Sequence, residues 1–224
     1  MEKIIITGSE GLIGSELSRF LEKKNKIYKL DIELGHDLTD EKFVQTWFKN
    51  NPANYLINCF ALNDHVDSKR RKRTLFDVSL DSFSKYMHVN LTSLFSVCRE
   101  FARNNKKGGI VNFSSYLGLV SSRPDIYNGS HKDVGYCVSK AGVIHLTKYL
   151  AVHFAPNLRV NCIAPGGIAL NQDKRFLKNY SALTPMGRMM KKNEINGLID
   201  YLCSEKSSYV TGSTFVVDGG FSIW

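Results

Sequence analysis

The stretch TGSEGLIG, Thr7 to Gly14, decides how the rest of the chain is read. It follows a short apolar run, KIIIT (Lys3 to Thr7), and leads into a helix-patterned stretch, Leu12 to Lys24. Glycines in that position have separate uses. Gly8 permits a tight turn, Gly11 lets the backbone approach a pyrophosphate, and Gly14 lets the helix pack closely on the strand. The amides of the helix start, with Ser9, Leu12 and Ile13 around them, then face the phosphates with a favourable dipole. A glycine triplet alone is a weak signal. It becomes a strong one because a second apolar run, IYKLD, ends on Asp31. A carboxylate there accepts both hydroxyls of an adenosine ribose and repels a 2′-phosphate, and neither Ser9 nor Glu10 offers a compensating base. NAD(H) is therefore expected in preference to NADP(H). Asp37 and Leu38, in HDLTD (His36 to Asp40), are placed beside the adenine, although Asp37 or Thr39 would serve equally as a helix cap.

Outward from this stretch, strand-like and helix-like segments alternate. Further strands are expected at Tyr55–Phe60, Gly109–Ser114, Arg159–Ile163 and Ser213–Asp218. Helices are expected at Glu41–Lys49, about Ser82–Asn104, Gly135–Phe154 and Asn193–Leu202. Short apolar strands between such helices imply an α/β fold, a parallel sheet covered on both faces in one doubly wound Rossmann-type domain over residues 1–224. Two stretches break the rhythm: a Ser-, Gly-, Asp- and Pro-containing loop at about 119–134, and a second, flexible loop at about 165–190. Both leave the carboxyl ends of strands, where open α/β sheets bind ligands.

The bulk properties fit this reading. The chain has 224 residues, 43% hydrophobic and 23% charged, enough for one domain with a proper core. No run is long and apolar enough to cross a bilayer, and MEKIIITG reads as a first strand instead of a signal peptide. The five cysteines are scattered and form no metal-ligand pattern, so reduced thiols in a cytoplasmic protein without a metal are expected. A net charge of +9 includes the run KRRKR, Lys69 to Arg73, read either as a solvated segment or as an anion contact. No nucleic-acid-binding motif accompanies it, and no nucleic-acid partner is expected.

The second decisive stretch is GYCVSKAG, residues 135–142. Tyr136 and Lys140 lie one helical turn apart and share a face. A free tyrosine, with a pKa near 10, is a poor base at neutral pH. A neighbouring lysine favours its phenolate, and a serine hydroxyl can steady a substrate oxygen. With Ser115 in SSYLG, Asn90 in HVNL, NCIAPGG (Asn161 to Gly167), PMGR (Pro185 to Arg188) and TGSTFVVDGG (Thr211 to Gly220), the chain resembles the short-chain dehydrogenase/reductase family over nearly its whole length. The resemblance implies a mostly seven-stranded parallel sheet, with Asn90, Ser115, Tyr136 and Lys140 as the catalytic set. Tyr136 and Lys140 would also touch the cofactor, along with Asn58, Pro165, Gly166 and Ile168. It implies a homotetramer or homodimer too, with the helices around Ser82–Asn104 and Gly135–Phe154 as contacts; their apolar positions Leu94, Phe95, Val97, Ile144, Leu146 and Leu150 either serve that assembly or belong, as many would, to the ordinary core.

This sequence departs from the family pattern in three places. The glycine spacing TGxxGxxG is that of the extended branch, whereas the C-terminal part is of the compact type. Asn-Asn-Ala-Gly is replaced by NCFA, in which Asn58 is the clear match. The interval between Ser115 and Tyr136 is longer than usual. The added residues, SRPDIYNGSHKD (Ser122 to Asp133), form either a plain surface loop or a cover whose Arg123, Tyr127, Asn128, Ser130, His131 and Lys132 can hydrogen-bond a hydroxylated or anionic substrate, with Tyr127, Asn128 and His131 joining Ser115 and Tyr136 as the named substrate contacts. TGSEGLIG, NCF, PDIYNG and YLAVHFAP together resemble a narrower group, bacterial flagellin-modification and legionaminic-acid biosynthesis oxidoreductases. That implies a polar small-molecule substrate: a sugar phosphate, amino sugar or nucleotide sugar. The alternatives are an acyl or other small-carbonyl reductase, and a non-catalytic dinucleotide-binding partner.

Overall fold

Six strands among the described residues make one parallel sheet in the order β2-β1-β3-β4-β5-β6. They are β1 (Lys3–Thr7), β2 (Lys26–Leu30), β3 (Tyr55–Asn58), β4 (Gly108–Phe113), β5 (Leu158–Pro165) and β6 (Thr214–Val217). The helices are α1 (Leu12–Leu21), α2 (Glu41–Asn50), α3 (Leu80–Met87), α4 (Ser93–Asn104), α5 (Val134–Phe154), α6 (Lys174–Ala182) and α7 (Asn196–Leu202). The computed structural model describes residues 1–64, 74–127 and 129–224, so Asn128 and the run Lys69–Arg73 lie outside the described residues. From β1 the chain winds one way to β2, then returns to lay β3 through β6 on the other side. The order reverses between β1 and β3, and a crevice opens there above the carboxyl ends of the strands.

Side chains alternate across the strands and divide the core into two layers. Ile5, Leu56, Ile110 and Val160 pack against Phe48 of α2, Val97 and Phe101 of α4, and Val143 and Leu150 of α5. Ile4, Ile6, Ile57, Val111 and Ile163 face the other way, onto Leu17 and Leu21 of α1 and Ile199 and Leu202 of α7. Burial on both faces explains why these strands read as unbroken apolar runs.

One polar thread crosses the apolar layer. Thr7 Oγ1 donates to Asn58 Oδ1 at 3.0 Å, Asn58 Nδ2 to Asn112 Oδ1 at 2.9 Å, and Asn112 Nδ2 to Thr147 Oγ1 at 3.0 Å. All four residues are buried, and their mutual bonding is what makes that burial tolerable. The thread fixes β1, β3 and β4 in register and ties them to α5.

The structure differs from the sequence expectations in four places. Among the described residues there is no seventh strand: between β2 and α2 they hold only a 3₁₀ turn, Ile32–Leu34, and a cap. A parallel strand needs a crossover of about a dozen residues or more, so β2 is an edge. The cap of α2 is Asp40, which accepts from Lys42 N at 2.9 Å and Phe43 N at 3.2 Å, and neither Asp37 nor Thr39 fills that position. The helical tract expected from Ser82 is two helices, α3 and α4, joined by a π-helical turn at His88–Thr92. The 165–190 stretch carries α6, capped by Asp173, which accepts from Phe176 N at 2.9 Å. Among the residues named for an assembly face, Leu94, Val97 and Leu150 belong to the core, Ile144 and Leu146 lean on it, and Phe95 stays exposed. All five cysteines carry free thiols, and no described helix is long and apolar enough to cross a membrane.

Candidate active site

The glycine turn is shaped by close approaches that a side chain would obstruct. Gly8 has φ +65°, and a Cβ there would stand 2.5 Å from the Phe60 amide nitrogen. A Cβ on Gly14 would stand 2.0 Å from the Gly8 carbonyl oxygen. Gly11 precedes α1 and caps it with no side chain, which leaves the amides of its first turn to an anion. Ser9 is buried beneath the turn, while Leu12 is exposed and Ile13 half-buried at the helix start.

Asp31, at the end of β2, is buried and accepts from Glu10 N at 2.9 Å and from Glu33 N at 3.0 Å. Two amides thus fix the carboxylate against the glycine turn, with lone pairs remaining for ribose hydroxyls. These features fit a dinucleotide with an unphosphorylated ribose. Asp37 is exposed and closes a local turn, accepting from Thr39 N at 2.8 Å and Thr39 Oγ1 at 2.7 Å. Those bonds, the hydroxyl's first, hold its pKa below the usual carboxylate value. Leu38 beside it is buried. Asn58 lends its side chain to the buried thread, so backbone atoms are what it can offer a ligand. Pro165 ends β5 and Gly166 follows it, where a Cβ on Gly166 would lie 2.8 Å from Asp218 Cα. Ile168 follows, paired in a short bridge with Met190, and Gly167 N donates to Tyr180 Oη at 2.5 Å.

Three elements bring together the four residues expected to be catalytic. Ser115 follows β4, Tyr136 and Lys140 lie on the first turns of α5, and Asn90 sits in the π turn. The insertion that makes a π turn is common at functional sites. Here it holds Asn90 where Nδ2 donates to Leu62 O at 3.1 Å and Ser139 Oγ at 3.0 Å, while Oδ1 accepts from Leu62 N at 2.7 Å. Asn90 therefore clamps the exit of β3 to α5. Ser114 Oγ donates to Lys140 O at 2.7 Å and anchors α5 to β4.

Tyr136 is buried, and burial pushes its phenol up to about 12, opposed by a hydrogen bond with Ser115. Lys140 Nζ donates to Phe113 O at 2.8 Å and stands 5.8 Å from the centre of the Tyr136 ring. Its own burial pushes it down to about 8. Burial is the largest influence on the phenol, and the Lys140 ammonium is drawn onto a main-chain carbonyl. At neutral pH the phenol is protonated, an acid ready to donate.

Two loops roof this centre. Tyr127 lies 3.4 Å, hydroxyl to hydroxyl, from Tyr116, and its ring stands 5.4 Å from that of Phe176 on α6. Asn179 Nδ2, also on α6, donates to Asp125 O at 3.1 Å. His131 makes a 3.0 Å contact through Nδ1 with Lys132 O, and its buried Nε2 has no partner among the described residues. Sequence reasoning missed the aromatic wall beneath the roof, where Tyr86, Tyr116, Tyr180 and Phe221 pack around Tyr136. Lys132 was one polar loop residue among several in the sequence, yet it is only 7% exposed. No local pattern signals that burial. For α6 a signal existed: Asp173 as a cap, with Phe176 and Tyr180 four residues apart.

Comparison with known proteins places this geometry in a lineage. A family described as Enoyl-(Acyl carrier protein) reductase matches residues 13–222. A short-chain dehydrogenase from Leptospira borgpetersenii, solved with bound NAD+, superposes with a TM-score of 0.85 at 34% identity, over 99% of this chain and 92% of that one. An NADP-dependent mannitol dehydrogenase from Alternaria alternata is 32% identical over 93% of this chain and 76% of its own length. The post-translational flagellin modification protein A of Campylobacter coli is 32% identical over 68% of this chain and 62% of its own. Two uncharacterised oxidoreductases, from Schizosaccharomyces pombe and Sinorhizobium fredii, are matched over 57% and 27% of their lengths, so the chain spans less than two thirds of several relatives. With the glycine turn, Asp31 and the Asn90, Ser115, Tyr136, Lys140 set assembled on one doubly wound sheet, the chain belongs to the short-chain dehydrogenase/reductase family.

Proposed function

We propose that this protein is an NAD(H)-linked oxidoreductase that interconverts a carbonyl and a secondary alcohol on a small polar substrate. The finer reading is a sugar phosphate, amino sugar or nucleotide sugar, used in building a surface polysaccharide or flagellin glycan. The observation that carries the chemistry is the convergence of Ser115, Tyr136 and Lys140 beside the crevice bounded by Asp31 and the glycine turn. NAD(H), when bound, supplies or accepts hydride at its nicotinamide. In the reducing direction Tyr136 gives its proton to the substrate oxygen, Ser115 holds that oxygen, and Lys140 supplies positive charge as the phenolate forms. Oxidation runs the same steps backward. Pro165, Gly166 and Ile168 would flank the nicotinamide, with Asp37 and Leu38 at the adenine end. Tyr127 and His131 on the roof, with Asn128, would meet the substrate.

A polar substrate is supported by the mannitol dehydrogenase and the flagellin modification protein among the relatives. The former is named as NADP-dependent; the buried Asp31 carboxylate is the reason to expect NAD(H) here. The bound NAD+ of the Leptospira relative agrees with that. An acyl or small-carbonyl reductase is the second reading, favoured by the description of the matching family and by the aromatic wall. Free thiols support a reducing, cytoplasmic setting, and family resemblance supports a homodimer or homotetramer.

Nicotinamide absorbance tests this directly, with NAD(H) and NADP(H) run against polyols, sugar phosphates, nucleotide sugars and acyl thioesters. The expected outcome is turnover of a sugar or polyol class with NAD(H) favoured. Tyr136→Phe should then lose on the order of 10²–10⁴-fold in kcat while NADH affinity stays unchanged. Full activity in that variant would remove Tyr136 from the mechanism, and thioester turnover alone would select the second reading.

A further inference from the structure

Lys132 is a buried cation that the proposed chemistry does not use. Its ammonium donates to Asn63 Oδ1 at 2.7 Å and to the main-chain carbonyl of Asp64, both neutral acceptors. It stands 4.8 Å from the centre of the Tyr136 ring, nearer than Lys140. Among the described residues no carboxylate forms a direct ion pair with it, while the charges of Asp64 and Asp133 favour its protonated form from a distance. Asp64 accepts instead from Tyr86 Oη at 3.0 Å, and Asp133 caps α5 by accepting from Gly135 N at 2.7 Å. Buried charges are ordinarily paired, because an unpaired one carries a large desolvation cost. The position is deliberate in the fold: Lys132 N donates to Ser122 Oγ at 3.0 Å, which closes the neck of the inserted loop. That neck sets the ammonium beside the catalytic ring.

We propose that Lys132 determines substrate class: its ammonium receives a carboxylate or phosphate on the substrate, so this enzyme acts on an acidic hydroxylated compound and not on a neutral polyol. This deepens the proposed function and rests on it. Asp64 and Asp133 act on the ammonium from a distance without an ion pair; the ligand's anion supplies that direct contact, and the third N–H of the ammonium remains to bind it. Burial, the first cause, pushes the lysine down to about 8. The titratable groups around it are Asp64 on the β3 exit, Tyr86 on α3, Tyr136 and Cys137 on α5, Asp133 at the α5 cap, and His131 in the loop. A bound anion would favour the charged form, so anion affinity should weaken as pH rises through about 8.

The test is calorimetric, with D-mannitol, D-mannonate and D-mannitol 1-phosphate titrated into the whole protein, with and without NADH. The expected result is at least about tenfold tighter binding of an acidic member than of mannitol. That gain should be lost in Lys132→Met, kept in Lys132→Arg, and reduced above pH 8 in the unaltered protein only. The carboxylate and phosphate arms show which anion is preferred. Equal affinity for neutral and acidic members overturns the proposal, as does an acid preference that survives Lys132→Met. If Lys132→Met instead lowers kcat equally for neutral and acidic substrates and leaves KM alone, the ammonium serves the Tyr136 phenolate and the proposal also fails. Failure of every compound to turn over would count against the proposed oxidoreductase reaction, and the binding comparison would still decide the role of Lys132.

Discussion

Lys140 shows two requirements opposed within one side chain. The proposed chemistry asks it to carry charge beside Tyr136, yet it is 4% exposed and its ammonium is held by the Phe113 carbonyl. Burial lowers it from 10.5 to about 8. In the unfolded chain the group keeps its ordinary value, so between pH 8 and 10.5 the unfolded state binds more protons than the folded one. Stability contributed at this position therefore rises with pH across that window, and below it the folded state bears the full cost. Lys140→Met removes the charge while keeping the length. The expected outcome is an inactive protein that is more stable than the parent below pH 8, by up to about 3 kcal/mol less whatever the orphaned Phe113 carbonyl costs. Thermal melts of both proteins from pH 7 to pH 10 check it: the gap should close as pH rises. A parent that is the more stable at pH 7 would contradict this account. The identity of Lys140 was legible in the sequence from its spacing to Tyr136. Its burial was not, because desolvation depends on what four separate segments place around a nitrogen atom.

Among the elements, α6 and the inserted loop belong together. Phe176 meets Tyr127, and Asn179 holds Asp125, so two segments that read as independent loops form one cover. Phe176→Ala should detach one half of that cover from the other without touching the dinucleotide crevice. Steady-state kinetics should show KM for the polar substrate raised several-fold, on the order of what loss of an aromatic pair of about 1 kcal/mol gives. kcat and NADH affinity should change little; a fall in NADH affinity with unchanged KM would show that the cover serves the cofactor instead. The strands were legible because each is a short apolar run cut off by glycine or a polar residue, as with KIIIT before Gly8. Long helices with full apolar stripes were legible too. The π turn was not: HVNLT has the same local composition as the helices flanking it, and the displacement that places Asn90 arises from hydrogen bonds to Leu62 and Ser139 elsewhere in the chain. The stretch from TGSEGLIG to Asp31 made the glycine turn and the carboxylate fixed against it legible. The substrate half depended on α6, whose short stripe was lost in a stretch judged by its polar ends.

At the scale of the whole molecule, α5 leaves apolar surface that the core does not cover. Val138, Tyr149 and Val152 are 42%, 57% and 76% exposed, and Phe95 on α4 is 40% exposed. These, more than the residues first named from the sequence, are the ones to vary in testing self-association. Sedimentation at micromolar concentration should give a dimer or tetramer, and the double change Tyr149→Asp with Val152→Asp should shift it toward monomer. A parent protein that sediments as a monomer would set aside the homo-oligomer.

The six-stranded sheet of the described residues has a consequence of another kind. With no neighbour beyond it among the described residues, β2 is an edge of the sheet, a border that invites another chain to extend it. Its sequence, KIYKL, sets Lys26 and Lys29 at exposed positions along that border. Two like charges there repel an incoming copy of the same strand. That edge is thus a hazard of misassembly, and the lysines act as its guard. Part of the chain's positive charge is then best understood as resistance to clumping, independent of any ligand.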